Sequence, residues 1–471
     1  MDIQQLLQAL PNTALIALVE DVYGRYGDID GIIESYLDSV VVQGEAEVGV
    51  TAPLMQWLKR QIEQLLDNEE FVDYRQALQL SSQLERLLSD ISSLAELNAV
   101  EALAMLDELL ARHEEIMERV DDSGGSIGEA LSNAMSLWLE VAAELRRQQP
   151  QARDWVQTVL DYHEASDYGC FDDVIRDSAC LLSEEELRQL AGHFESDIRS
   201  ALKATVDDGH NRQASHAALK LRSVAEALSD IFLYEQSTLL ISPRPNTLQL
   251  AGITQYALAI GALERAEYWL QQPQWQDDEH RFAGLNNQLL KRQGNISQLK
   301  DNLLESWQRM PNKRNLQAYW EYADDAERQA VTIQVQEQAG SLDRHVDAIE
   351  MLLFIGDAKL AADHLIAHRF ELGSEWYGTL LGWIEGFDAG RQTLAVIVCY
   401  RLLLMDLLER GNARAYHHGA RYFHTLLALD KKLPDYRGLD SAQAFITSLQ
   451  AKHGRKRSFW SAADYPNKAE A

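Results

Sequence analysis

Apolar residues recur along most of this chain at steps of three and four. Leu84, Leu87, Leu88, Ile91 and Leu94 form one such stripe, and Leu106, Leu109, Leu110, His113, Met117 and Val120 form another. A helix places positions i, i+3, i+4 and i+7 on one face, so each stripe predicts an amphipathic helix that buries that face. Strand-like alternation is nearly absent. Val40-Val41-Val42 and Val48-Gly49-Val50 are the only tempting runs, and they flank Gly44 and precede Pro53, which predicts a loop. The expected class is all-α.

The same pattern divides the chain. Residues 1–44 read as two short helices joined near Tyr26-Gly27-Asp28, and residues 54–120 as two or three longer ones. The sharpest breaker cluster, Asp121-Asp122-Ser123-Gly124-Gly125-Ser126, is either a linker or a turn between helices. A helix over 127–149 ends at Pro150, and a loop is expected around Ser166-Asp167-Tyr168-Gly169-Cys170-Phe171. Ser183 with Glu186 three residues on forms a capping box, in which the hydroxyl takes the N3 amide and the carboxylate takes the cap amide. Pro243-Arg244-Pro245 breaks the chain again. The expected regions are an N-terminal helical bundle over 1–122, a central helical region over 127–242, helical repeats over 246–450 and a tail over 451–471.

The repeats rest on recurring glycine turns. Ile260-Gly261-Ala262-Leu263 reads as a helix end, a tight turn and a new helix, and Gln293-Gly294-Asn295-Ile296 repeats it 33 residues later. Ile355-Gly356-Asp357-Ala358 follows after a further 62, close to two periods of 31. The midpoint falls at Tyr322-Ala323-Asp324-Asp325-Ala326-Glu327, a degenerate copy without glycine, and Arg410-Gly411-Asn412-Ala413 is a later copy. Each glycine can adopt the left-handed conformation that ends a helix. A period of about 31–34 is that of paired-helix repeats, so a tetratricopeptide-like array or α-solenoid is expected. Most turns lack the closing proline of that consensus.

Composition narrows the job. The chain has 471 residues, with 43 Lys and Arg against 73 Asp and Glu, for a net charge of −30. Such a surface repels phosphate backbones and anionic membranes, which argues against nucleic acid and membranes as partners. The acids are scattered through amphipathic segments, unlike the dense carboxylate rows of a nucleic-acid mimic. The three cysteines, Cys170, Cys180 and Cys399, form no disulfide framework and no C-x-x-C pair, as in a reducing cytosol. The N-terminus has no signal-peptide pattern, and the most apolar stretch, Leu394 to Leu408, is interrupted by Arg401 and Asp406 and too short to span a bilayer. A soluble cytoplasmic protein is expected.

Candidate chemistry is sparse. Phosphate-binding glycine loops and nucleophile elbows are absent, and no cofactor is expected. His364 and His368, four apart on a helix, can share a face as in H-E-x-x-H metal sites, but Leu365 stands where that motif has Glu. They lie on one stripe with Ala361 and Leu365, so packing is favoured over metal. His417, His418 and His424 form a second cluster, in which the adjacent pair points about 100° apart. Asp167, Asp172, Asp173 and Asp177 surround Gly169 and Cys170 without calcium-loop spacing, and turn and capping roles fit them better.

Aromatic residues crowd the repeat region, and Trp320, Tyr322, Trp376 and Tyr377 are candidate partner-binding anchors. The tail reverses the charge of the chain: Lys452, His453, Arg455, Lys456 and Arg457 precede Phe459-Trp460. A solvated helix end accounts for it. Docking onto an acidic surface is the functional alternative, and makes Lys452, Arg455, Lys456 and Arg457 candidate partner contacts.

Several segments together resemble uncharacterised bacterial proteins associated with SWIM zinc fingers. These are Leu15-Ile16-Ala17-Leu18-Val19 with Tyr26-Gly27-Asp28-Ile29, Asp161-Tyr162-His163 through Asp172-Asp173, Leu182 to Leu187, and the closing Lys452 to Trp460. The finger itself, C-x-C followed by C-x-H, is absent, so the resemblance implies a helical-repeat fold and no zinc role.

The leading expectation is a non-enzymatic scaffold that binds a protein or peptide in a groove over about 246–430. One alternative is a helical metal-dependent enzyme using His364 and His368 or the acids near 167–177. The other is a regulator of nucleic-acid machinery acting through the tail.

Overall fold

The computed structural model describes residues 51–67, 70–166, 168–204, 211–372 and 377–466. The expected helices of residues 1–44, the Val40 run and Asp167 lie outside these. The described chain is all-helical, and its nearest approach to a sheet is one isolated bridge between Val72 and Val120. The described residues fall into two compact units, divided in the chain between Phe282 and Ala283.

In the first unit α1 (Thr51–Leu66), α2 (Tyr74–Leu97), α3 (Ala99–Ala111), α4 (His113–Glu118) and α5 (Ser126–Gln148) bury the stripes read from the sequence, Met117 only in part. Local chemistry sets their ends. Asp73 and Gln76 form a capping box at α2, and Asn98 caps α3. The breaker cluster at 121–126 is a turn inside this unit. Gly125 takes φ 74°, and both Asp122 carboxylate oxygens accept backbone N–H groups at the start of α5, from Ile127 and Gly128 at 2.9 Å. Then come α6 (Trp155–Glu164), α7 (Val174–Asp177), α8 (Glu184–Ala204), α9 (Arg212–Ala227), α10 (Ile231–Ile241), α11 (Thr247–Ala259) and α12 (Leu263–Leu270). Ser183 and Glu186 form the expected capping box at α8. The Pro243-Arg244-Pro245 break lies between α10 and α11, and Asn246 with Gln249 restarts the helix by a second capping box.

The helix α13 (Glu279–Gln293) carries the boundary between units in its first turn. The second unit continues with α14 (Ile296–Arg309), α15 (Lys313–Trp320), α16 (Asp325–Gln338), α17 (His345–Phe354), α18 (Ala358–His368), α19 (Tyr377–Ala389), α20 (Thr393–Arg410), α21 (Tyr416–Asp430), α22 (Ala442–His453) and α23 (Arg457–Ala462). One core gathers Trp307, Leu352, Leu365, Trp383, Phe387 and Cys399, and another gathers Phe423, Phe445, Phe459 and Trp460.

The glycine turns share one geometry. Gly261, Gly294 and Gly356 have φ of 80°, 72° and 85°. The residue after each donates to a carbonyl five residues back: Ala262 to Ala257, Asn295 to Leu290 and Asp357 to Leu352, at 2.8–2.9 Å. These are Schellman ends, which satisfy the last carbonyls of one helix and reverse the chain into the next. Consecutive helices α11 and α12, α17 and α18, and α19 and α20 pack on each other as hairpins. The same turn is made without glycine at Ser229 (φ 52°, Asp230 to Ala225) and at Arg391 (φ 56°, Gln392 to Phe387). At the expected degenerate copy, α15 stops at Trp320 and Asp324 caps α16 with Glu327 in a capping box. Gly411 is left-handed as expected, and Asn412 caps the short 3-10 turn that follows.

Candidate metal centre

The Gly356 turn folds α18 back along α17. Residues at similar distances on either side of such a turn become neighbours. His345, the first residue of α17, lies eleven residues before Gly356, and His368, the last of α18, lies twelve after it. His364 stands one turn earlier on α18, so the hairpin brings three imidazoles together.

His345 Nδ1 lies 3.1 Å from His364 Nε2. The His345 and His368 rings stack with centroids 3.8 Å apart, and His364 and His368 are 4.6 Å apart. One nitrogen from each ring can be chosen so that all three lie within 4.8 Å of one another. Glu371, in the turn after α18, completes the cluster. His345 Nε2 donates to one of its oxygens at 3.0 Å and His368 Nδ1 donates to the other at 3.2 Å. An ionised carboxylate only accepts, so both protons sit on those outer nitrogens. The other nitrogens, His345 Nδ1 and His368 Nε2, then carry lone pairs when the rings are neutral. His364 Nε2 supplies the proton of the 3.1 Å contact.

Burial is graded across the site. His364 is buried, the His345 side chain is 16% exposed and that of His368 is 30% exposed, while Glu371 is 62% exposed. Burial, with His368 and His345 adding to it, pushes His364 down to about 4, so it is neutral near pH 7. The hydrogen bonds from His345 and His368 hold Glu371 below the ordinary carboxylate value.

Such a set suits a borderline transition metal. Zinc takes imidazole nitrogen at about 2.0–2.1 Å, which places two ligand nitrogens of a tetrahedral ion roughly 3.4 Å apart. The His345–His364 pair, at 3.1 Å, is close to this, and a nitrogen of His368 lies within 4.8 Å of both. Ligating histidines commonly donate their other N–H to a carboxylate that fixes ring and tautomer, and Glu371 does this for two rings at once.

The i, i+4 spacing shows only two of the three histidines and favours a packing role for them. Ala361, His364 and Leu365 are indeed buried together. What spacing misses is His345, on a separate helix, and Glu371, beyond the helix end. The signal available in the sequence was the Gly356 turn itself, about which His345 and His368 are nearly symmetric.

Of the second histidine cluster, His417 and His418 bring their rings to 3.9 Å despite standing next to each other on the helix, while His424 lies edge-on to Phe423. His417 Nδ1 donates to the Arg414 carbonyl at 2.9 Å, and His418 lies beside Arg421. In the acidic loop Asp172 accepts from Ser166, and Asp173 and Asp177 both pair with Arg176 at 2.8 Å. Cys170 is buried, and that burial pushes its thiol up.

Among the aromatic candidates, Trp320 is half-buried edge-on to Phe354, and Tyr322 lies under the Lys291 ammonium. Tyr377 is exposed, and Trp376 lies outside the described residues. In the tail Lys452 pairs with Glu409. Arg455 and Arg457 are exposed, and Lys456 is partly so. Phe459 and Trp460 turn inward to Phe423, and the Trp460 indole donates to the His453 carbonyl at 3.0 Å. Among the described residues, no helix is long and apolar enough to cross a membrane.

No curated protein and no solved structure matches the chain. A family model does match, and it covers residues 46–462, which include the whole histidine cluster. By that match the chain belongs to DUF6880, a family of unknown function.

Proposed function

We propose that this protein binds a divalent transition-metal ion of the zinc class through His345, His364 and His368. The observation that supports the reading is the convergence of three imidazoles, two of which have their outer nitrogens held by one carboxylate. Without a metal the His364 Nε2–H fills the 3.1 Å contact with His345 Nδ1, and a metal ion would take the place of that proton between the two nitrogens, with His368 as the third donor. Imidazole donors select zinc, cobalt, nickel or copper over magnesium and calcium, which prefer oxygen.

Titration of the full-length chain with Zn²⁺ in a calorimeter tests this. One ion per chain is expected, with no uptake of Mg²⁺. His345→Ala and His364→Ala should each weaken uptake at least 100-fold while circular dichroism shows the helices intact. Absence of stoichiometric Zn²⁺ binding by the native chain sinks the proposal.

The wider role we infer is an interaction scaffold for a protein or peptide, with the hairpins of the second unit stacking in a tetratricopeptide-like way. Phe370, 81% exposed beside Glu371, supports this reading. Large exposed aromatics are the usual anchors of such contacts. Phe370→Ser should then reduce recovery of a partner co-purified from native cells and leave metal binding unchanged. The three unpaired cysteines support a reducing, cytoplasmic setting.

A further inference from the structure

We propose that the metal held at this centre keeps a fourth, exchangeable coordination position that takes water or a small monodentate anion. The inference rests on the metal-binding reading above and concerns what completes the coordination.

Three observations point to an open position. The first is the donor count. Among the described residues, His345, His364 and His368 form the group whose ligand atoms converge, and no fourth His, Cys, Asp or Glu belongs to it. Zinc takes four ligands, and three from the protein leave one to be supplied from outside. The second is where Glu371 stands. Each of its oxygens already accepts from a ring, at 3.0 Å from His345 Nε2 and 3.2 Å from His368 Nδ1. His345 turns its other nitrogen, Nδ1, to His364 Nε2 at 3.1 Å, so the nitrogen that Glu371 holds is the outer one of that ring. A Glu371 oxygen that turned to the metal would give up a hydrogen bond that orients a ring. On the same two helices, Asp347 is held by Arg344 at 3.2 Å, and Asp363 is taken up by Arg437. The third is the direction of access. Exposure rises from buried His364, through 16% at the His345 side chain, to 30% at that of His368. One side of the cluster is therefore closed by protein and the other meets solvent.

The charge sets the class of ligand. Three neutral imidazoles leave the full double positive charge on the ion, and the single Glu371 carboxylate offsets half of it from outside the coordination sphere. A small anion or a polarised water suits the remaining position. This is the donor arrangement of a Lewis-acid site, and a purely structural zinc site would use four protein ligands.

The test uses the full-length protein loaded with Co²⁺, whose visible absorption reports coordination, titrated with azide at fixed pH. A saturable shift of the bands is expected, reversed by competing acetate. Glu371→Gln should weaken metal affinity by about 10–100-fold as an orienting partner does, yet keep the azide response. Bands that ignore azide in the native chain would overturn the proposal. If Glu371→Gln then gained an azide response, Glu371 itself would be the fourth ligand, which also overturns it. Failure to take up Co²⁺ or Zn²⁺ at all would instead remove the metal-binding reading on which this one rests.

Discussion

Two histidines four apart on a helix describe many packed helices, and only their neighbours decide what they do. Here the deciding residue is His345, nineteen positions upstream of His364, and its partner Glu371. The identity of these residues was legible in the sequence, but their proximity was not, because it depends on where the hairpin closes. Glu186 behaves in the same way with respect to stability. Its capping role was legible from Ser183, whereas its hydrogen bonds from Arg146, at 2.7 and 2.9 Å, come from α5. Those bonds, with Ser183, hold the Glu186 carboxyl at about 2. A folded-state value below the unfolded one stabilises the fold above about pH 4.5, and that contribution disappears as pH falls toward 2. Arg146→Gln should therefore cost about 1–2 kcal/mol at neutral pH, discounted for partial exposure. The gap from the native chain should close as pH approaches 2, as read by urea unfolding across a pH series. A gap that stays constant with pH would remove Glu186 as its source.

At the scale of elements, the amphipathic stripes and caps carried most of the information. Leu84 to Leu94 and Leu106 to Leu110 are buried as their spacing requires. The glycine turns were also visible, since Gly356 at φ 85° occupies a conformation that costs other residues about 1–2 kcal/mol. Ser229 and Arg391 adopt it anyway, so a search for glycine passes over two turns of the same kind. Packing of the flanking helices carries that cost. Arg391→Gly should raise stability by about 0.5–1 kcal/mol, the relief of strain less the added freedom of the unfolded chain. Thermal unfolding of the variant measures this, and an unchanged or lower midpoint would contradict it. The neighbouring Gly390 is constrained by space. A Cβ built there would sit 2.3 Å from the Ala358 Cβ, so Gly390→Ala should destabilise by about 2 kcal/mol or more through overpacking. The same thermal measurement reads the loss, and a midpoint equal to that of the native chain would show that the two helices can move apart at little cost.

For the whole molecule, the C-terminal tail shows how charge and packing separate. Its basic residues read as a docking element, yet Phe459 and Trp460 belong to the core of the second unit, both at 2% exposure or less. Trp460→Ala should cost about 3–5 kcal/mol, the usual penalty for emptying a buried aromatic site. Truncation after Gln450 should then lower the unfolding midpoint by itself, so any partner lost on truncation needs the Lys452, Arg455 and Lys456 substitutions to assign it to charge. Metal binding should act in the opposite sense. A ligand present at about 100 times its dissociation constant adds about 2.7 kcal/mol to the folded state. Saturating Zn²⁺ should raise the midpoint of the native chain and leave His364→Ala unmoved.

By itself the sequence determined the helical class, the positions of most helices, their caps and the glycine turns between them. These follow from contacts within four or five residues, which spacing and residue type specify directly. The tertiary structure alone decided which helix ends meet, and therefore the histidine centre, the inward tail and the left-handed Ser229 and Arg391. Each of these joins residues far apart in the chain or is stabilised by groups that are. Their proximity is set by hairpin closure and core packing, which no local pattern encodes.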